Sequence, residues 1–254
     1  MVVVRKNLSV EKGERVLLYM QNSPQFVIAY YALLRADAVV VPVNPMNLTE
    51  ELRHYVDDAG TRIALIGQEL LPRIAPLLAA GPLAWIIVAS YGEYADPASE
   101  LAQPDFLKLP PLETDQPEVV RWRDALKAGC VPSAHLAQPD DLCAMPYTSG
   151  TTGRPKGCMH THRTLMANVV PAGVWNRGSA EDVILCVVPF FHITGMVHLM
   201  HSAIYLGAEL VIMTRWDREL ALKLIAHHRV TGWTNIPTMV IDLFASPNFK
   251  ADSL

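Results

Sequence analysis

The chain has 254 residues, 51% of them hydrophobic and 18% charged, with a formal net charge of −4. A chain of this length buries roughly 70–75% of its unfolded surface, so it needs no disulfide or metal staple, and its composition excludes intrinsic disorder. The slightly acidic balance gives no electrostatic footprint for nucleic acid or an anionic membrane.

Four scattered cysteines, Cys130, Cys143, Cys158 and Cys186, form no C-x-x-C pair and read as thiols in a reducing compartment. The first residues lack the apolar core of a secretory signal. The longest apolar stretches break on Arg35, Asp37, His198, His201 or Glu209, so no transmembrane segment is expected and the cytoplasm is the expected location.

In chain order, Arg15–Met20 reads as a strand, and Ser23-Pro24 supplies an N-cap and a first-turn proline for a helix to about Leu34. Ala38–Val43 is apolar throughout, as a strand buried on both faces of a parallel sheet should be. Thr49, Glu50 and Glu51 open the next helix, where acidic groups suit the positive end. Arg62–Ile66 and Trp85–Ala89 read as strands flanking a helix over about Glu69–Ala79. Seven prolines between Pro97 and Pro139 mark a surface connection in which only Glu118–Ala128 looks helical. Strands follow at Leu142–Pro146, Val183–Val188, Glu209–Met213 and Gly232–Asn235. Helices are expected over His162–Val170, Gly195–Tyr205, Asp217–His228 and Pro237–Phe244. This alternation predicts an α/β fold of two βαβ-type subdomains with mostly parallel sheets, residues 1–136 with the Pro-rich connection and residues 137–254.

The run Tyr147-Thr-Ser-Gly-Thr-Thr-Gly-Arg-Pro-Lys-Gly157 carries the chemistry. It lies between a predicted strand and a predicted helix, where outward N–H groups form an anion site. Gly150 and Gly153 allow positive φ and close backbone approach to phosphate oxygens. Thr148, Ser149, Thr151 and Thr152 add hydroxyl donors, and Lys156 adds a mobile positive charge behind the stiff Pro155. A plain polar turn would not need four hydroxyls, two glycines and a lysine. It is not a Walker A loop, because Pro155 stands where that pattern requires glycine.

The run resembles, at every fixed position, the Y-T-S-G-T-T-G-x-P-K-G phosphate loop of the adenylate-forming superfamily, which includes acyl-CoA synthetases and the adenylation domains of peptide synthetases. Glu11-Lys-Gly-Glu-Arg-Val16, Asn22-Ser-Pro-Gln-Phe26, Val41-Pro-Val-Asn-Pro45, Pro189-Phe-Phe-His-Ile-Thr-Gly195, Trp216-Asp217 and Ile236-Pro-Thr-Met239 match further landmarks in order. The resemblance covers essentially the whole chain and implies part of the large N-terminal domain of such an enzyme. It implies ATP and Mg²⁺ as cofactors, CoA as co-substrate and a small-molecule carboxylic acid as substrate. Thr148, Ser149, Gly150, Thr151, Thr152, Gly153 and Lys156 would hold the nucleotide. His192 and Lys156 are the candidate catalytic residues. His192, Ile193, Thr194 and Gly195, with Asn235 and Ile236 as a second wall, would line the acid pocket.

Departures bound this reading. The family's Tyr-Gly-x-Thr-Glu segment, with the glutamate that helps hold Mg²⁺, is not in this sequence; Tyr91-Gly-Glu-Tyr94 lacks the Thr-Glu. Nor are the ribose-gripping aspartate and the C-terminal domain with its catalytic lysine. The chain is therefore expected to fold but to be inactive alone, with exposed apolar patches that favour a homo-oligomer. The alternatives are a nucleotide- or partner-binding fragment without turnover, and an adenylation domain for another acid such as an amino acid. His192, His198 and His201 invite a metal reading, but no carboxylate or cysteine completes a ligand set, so no metal site is assigned.

Overall fold

A computed structural model describes residues 9–78, 80–95, 99, 101, 103–148 and 153–250. The described residues fall into two compact units. One lies within Met1–Met20, Gln25–Asp96 and Pro104–Arg163, the other within Gln21–Pro24, Pro97–Gln103 and Thr164–Leu254. Both are α/β, as expected.

In the first unit, strands β1 (Arg15–Tyr19), β2 (Val39–Pro42), β3 (Ile63–Gly67), β4 (Trp85–Ala89), β5 (Val119–Arg121) and β6 (Leu142–Ala144) precede a short hairpin, β7 (Tyr147–Thr148) and β8 (Lys156–Gly157). Strand β9 (His160–Thr161) follows. Seven of these form one sheet in the order β5-β4-β3-β1-β2-β6-β9, parallel except for the β6–β9 pair. The apolar run at β2 is buried along its length between β1 and β6, the position its two-faced hydrophobicity requires.

Helix α1 (Pro24–Arg35) starts at its proline, and α2 (Thr49–Ala59) starts where the acidic pair predicts. Glu51 Oε2 accepts from the Leu48 N–H at 2.7 Å, satisfying a donor at the helix entrance. Leu52, Val56 and Ala59 of α2 cluster with Leu17, Val41 and Ala64 of the sheet. Burying each larger side chain there contributes about 1.5–3 kcal/mol, which fixes the helix against the strands.

Three expectations are corrected here. The helix expected over Glu69–Ala79 is instead a 3₁₀ turn (Gln68–Leu70), a single α turn α3 (Leu71–Ile74) and another 3₁₀ turn (Ala75–Leu77). Pro72 and Pro76 each stand second in a new piece, because a proline has no N–H to continue the ladder of the piece before. The helix expected over Glu118–Ala128 is strand β5 followed by α4 (Trp122–Lys127): β-branched Val119 and Val120 are buried at the sheet edge, and Trp122 is fully buried. The Pro-rich stretch thus supplies an edge strand as well as a connection. Residues 137–163, grouped by sequence with the second subdomain, extend the first unit's sheet, because β6 pairs with β2 and β9 with β6.

The second unit holds most of α5 (His162–Trp175), with parallel β10 (Val183–Cys186) and β11 (Glu209–Ile212), α6 (Ser202–Leu206), α7 (Arg218–His228) and α8 (Pro237–Phe244). Gly195–His201 is π-helical and runs into α6. The expected strand Gly232–Asn235 is reduced to one bridge, Ile184 with Gly232. Asp217 caps α7 by accepting from the Leu220 N–H at 2.8 Å. Leu185, Val211, Ala221, Leu224, Ile225 and Leu243 form the core. Trp216 stacks on Trp233 at 5.5 Å and donates its indole N–H to Asp242 at 2.7 Å. Among the described residues no helix is long and apolar enough to cross a membrane.

Candidate functional site

The predicted site residues divide between the two units, and each group has its own geometry. In the first unit, Tyr147 lies opposite Gly157 and Thr148 opposite Lys156 in the antiparallel β7–β8 pair. The Cys158 N–H donates to the Pro146 carbonyl at 2.8 Å and continues the closure. The two short strands therefore lie side by side in opposite directions. This corrects the expectation of a loop feeding a helix N-terminus: α5 begins only at His162, after β9. Ser149, Gly150, Thr151 and Thr152 lie outside the described residues. Gly153 has φ 108°, a conformation that side-chain-bearing residues rarely adopt, so glycine is required there.

The hairpin brings Thr148 and Lys156, far apart along the run, to facing positions. Lys156 is exposed, with no acidic partner among the described residues, and Arg154 adds a second exposed cation that sequence reasoning did not single out. Two cations on a closed turn suit a polyanion, where each charge-assisted contact is worth roughly twice a neutral one.

Helix α2 supplies the residues around the turn. His54 Nε2 donates to the Pro155 carbonyl at 2.9 Å, and the Tyr147 hydroxyl donates to Asp58 Oδ2 at 2.5 Å. The Tyr147 ring sits edge-on to Tyr55 at 4.5 Å. Burial, and then the Asp58 carboxylate, push the Tyr147 phenol well above its ordinary range, so it remains a donor. None of these α2 residues carried a sequence signal: they lie some hundred positions from their partners.

In the second unit, Pro189–Gly195 forms a tight turn. The His192 N–H donates to the Pro189 carbonyl at 3.1 Å, and the Met196 N–H donates to the His192 carbonyl at 2.9 Å. The Thr194 N–H donates to His192 Nδ1 at 3.3 Å, which leaves the neutral ring with its proton on Nε2, a donor facing outward. His192 and Ile193 are exposed, Thr194 is half-buried and Gly195 is buried. Asn22, recognised by sequence only as a landmark, holds the segment between β10 and this turn: its Nδ2 donates to the Val188 carbonyl at 3.2 Å, and its Oδ1 accepts from the Phe190 N–H at 2.8 Å. Asn235 and Ile236 are exposed in the segment before α8. A 230 Å³ cavity of this unit is lined instead by Gly173, Asn176, His198, Ser202, Leu206 and Trp233. His201 is buried while His198 is exposed, so the two do not share a face.

The profile of the AMP-binding enzyme family matches residues 4–254. The chain is 29% identical over 252 residues to a long-chain-fatty-acid–CoA ligase of Bacillus subtilis (strain 168), covering 95% of this chain and 44% of that protein. It is 31% identical over 258 residues to 4-coumarate–CoA ligase 1 of Oryza sativa subsp. japonica, covering 98% and 42%. The chain thus spans less than half the length of these curated relatives. Among solved structures, a long-chain-fatty-acid-CoA ligase (FadD1) from Archaeoglobus fulgidus matches with TM-score 0.72 at 28% identity, over 92% of this chain and 42% of that one. The N-terminal domain of FACL13 from Mycobacterium tuberculosis shares the fold with TM-score 0.72 at 24% identity, over 96% and 55%. The match over nearly the full chain, together with the hairpin's Thr148, Gly153 and Lys156 and the His192 turn in order, places this chain in the AMP-binding enzyme family.

Proposed function

We propose that the whole protein is an ATP-dependent acid–thiol ligase that activates a fatty or aryl carboxylic acid. The acid's carboxylate attacks the α-phosphorus of ATP, the bond to pyrophosphate breaks, and an acyl-adenylate results. The CoA thiol then attacks the acyl carbon, AMP leaves, and the thiol proton is released. The observation that carries this reading is the hairpin that sets Thr148 opposite Lys156 and requires glycine at 153. Lys156 and the turn's donors would bind the departing phosphates and neutralise charge as it builds there, as preorganised donors do in phosphoryl transfer. His192 would present its Nε2–H toward the acid, beside Ile193, Thr194, Gly195, Asn235 and Ile236. Mg²⁺ accompanies ATP as counter-ion, and no side chain of this chain is assigned to it.

Ile193 and Ile236 would offer apolar contact and none of the six candidate pocket residues is acidic or lysine or arginine, which suits an uncharged acyl or aryl tail. The relatives named for long-chain fatty acids and for 4-coumarate support the same two classes and a role in acyl metabolism. The test is AMP release from ATP by the full-length protein against short-chain, fatty, aryl and amino acids. AMP should appear with fatty or aryl acids. Release with no acid of the panel, or with amino acids alone, contradicts the proposal.

A further inference from the structure

Residues 54 and 58 are one helical turn apart and so project from the same face of α2. One of them takes hold of each arm of the phosphate hairpin. His54 Nε2 donates to the Pro155 carbonyl at 2.9 Å, immediately before Lys156. Asp58 Oδ2 accepts from the Tyr147 hydroxyl at 2.5 Å, immediately before Thr148. A carbonyl can only accept, so the His54 ring carries its proton on Nε2 whether neutral or charged. The Tyr147 ring also packs against Tyr55, giving its arm a second contact with the helix.

The hairpin extends the β6–β9 pair, closed at its base by the Cys158 N–H to the Pro146 carbonyl at 2.8 Å. Its ladder is only two residue pairs long, and such ribbons are marginal without outside support. Beyond the arms, a gap of about 740 Å³ opens between Glu50, Arg53 and Asp57 of α2 and Gly153–Pro155 of the turn. The helix is anchored in turn by Leu52, Val56 and Ala59 under the sheet.

We propose that His54 and Asp58 are positioning residues for phosphate binding, one face of α2 fixing both arms of the hairpin and with them the places of Thr148 and Lys156. The proposal rests on the phosphate reading of the hairpin. It assigns the setting of that site to a helix outside the loop.

The test is hydrogen–deuterium exchange of the 254-residue protein, with Mg-ATP titration alongside. Tyr147→Phe keeps the ring and its packing on Tyr55 but removes the hydroxyl, and His54→Ala removes the other tie. Each should speed exchange across 147–158 by roughly tenfold, the loss of about one charge-assisted or well-formed hydrogen bond. Exchange in the β1 and β3 peptides should stay at the wild-type rate, and Mg-ATP affinity should fall by a similar factor. His54→Gln, whose amide N–H₂ can reach the same carbonyl, should restore both readings to within about twofold. Unchanged exchange on 147–158 in both variants, or equal acceleration in β1 and β3, overturns the positioning role. Arms loosened as expected in a protein whose Mg-ATP affinity ignores Lys156→Ala would instead remove the phosphate assignment and leave the helix clamp standing.

Discussion

Gly195→Ala should destabilise the second unit by about 3 kcal/mol, the upper end of what overpacking costs. A Cβ at this position would stand 2.2 Å from the Pro189 carbonyl oxygen and 2.5 Å from that of Val188. Both are backbone atoms, so no side chain can swing aside; the 188–195 turn itself must move. Because that turn carries His192, the same substitution should disturb the candidate acid pocket. Gly173→Ala is the control, since its Cβ would meet only the flexible tip of Leu206 at 3.3 Å. In that helix interior alanine recovers up to about 1 kcal/mol of propensity, so little net change is expected. Urea midpoints for the two variants decide the matter. A Gly195→Ala midpoint equal to that of Gly173→Ala would show that the turn is not as tightly built as described.

Acidification from pH 6.5 to 4 should cost the fold up to about 3 kcal/mol through one side chain, His201. Burial holds its imidazole down at about 4, from an ordinary value of 6.5. Between these values the unfolded chain binds a proton that the folded chain refuses, so stability falls as pH falls and levels off below the folded value. Asp182, held low by the Ser179 N–H and the Thr231 hydroxyl, titrates beneath this window. His162, also lowered chiefly by burial, adds a slope of the same sign. The comparison is therefore between the natural protein and His201→Gln, measured as unfolding free energy at several pH values. The variant should show a clearly flatter profile through the window, and identical profiles would remove His201 as the cause.

What the sequence made legible, and what it hid, follows from the range of each interaction. Val39–Pro42 is apolar on both faces, and only a central parallel strand buries both, so the sheet's interior could be read locally. Pro24 and the Glu50–Glu51 pair mark helix starts through single-residue chemistry. The segment over 68–77 has an apolar spacing that suits a helix, while Pro72 and Pro76 remove the N–H groups a continuous helix needs. Strand β5 was hidden because Glu118–Ala128 has a helix-compatible composition and only its place beside β4 makes it a strand. In the candidate site, Thr148, Gly153, Lys156 and His192 were legible as a motif. Their supports were not: His54 reaches Pro155, Asp58 reaches Tyr147 and Asn22 reaches Val188 and Phe190 across long chain separations that no local pattern records. The hairpin is not distinguishable from a strand–helix turn by local sequence, because glycines and hydroxyls permit both.

The central claim is that the 147–157 hairpin grips phosphate through Lys156. Its most direct measurement is calorimetric titration of Mg-ATP into the 254-residue chain and into its Lys156→Ala variant. Lys156 is exposed and so can be removed without disturbing the core. A lost charge-assisted contact to phosphate is worth about 1.5–3 kcal/mol, so affinity should fall by roughly tenfold or more. Equal affinity in the two proteins would contradict the account.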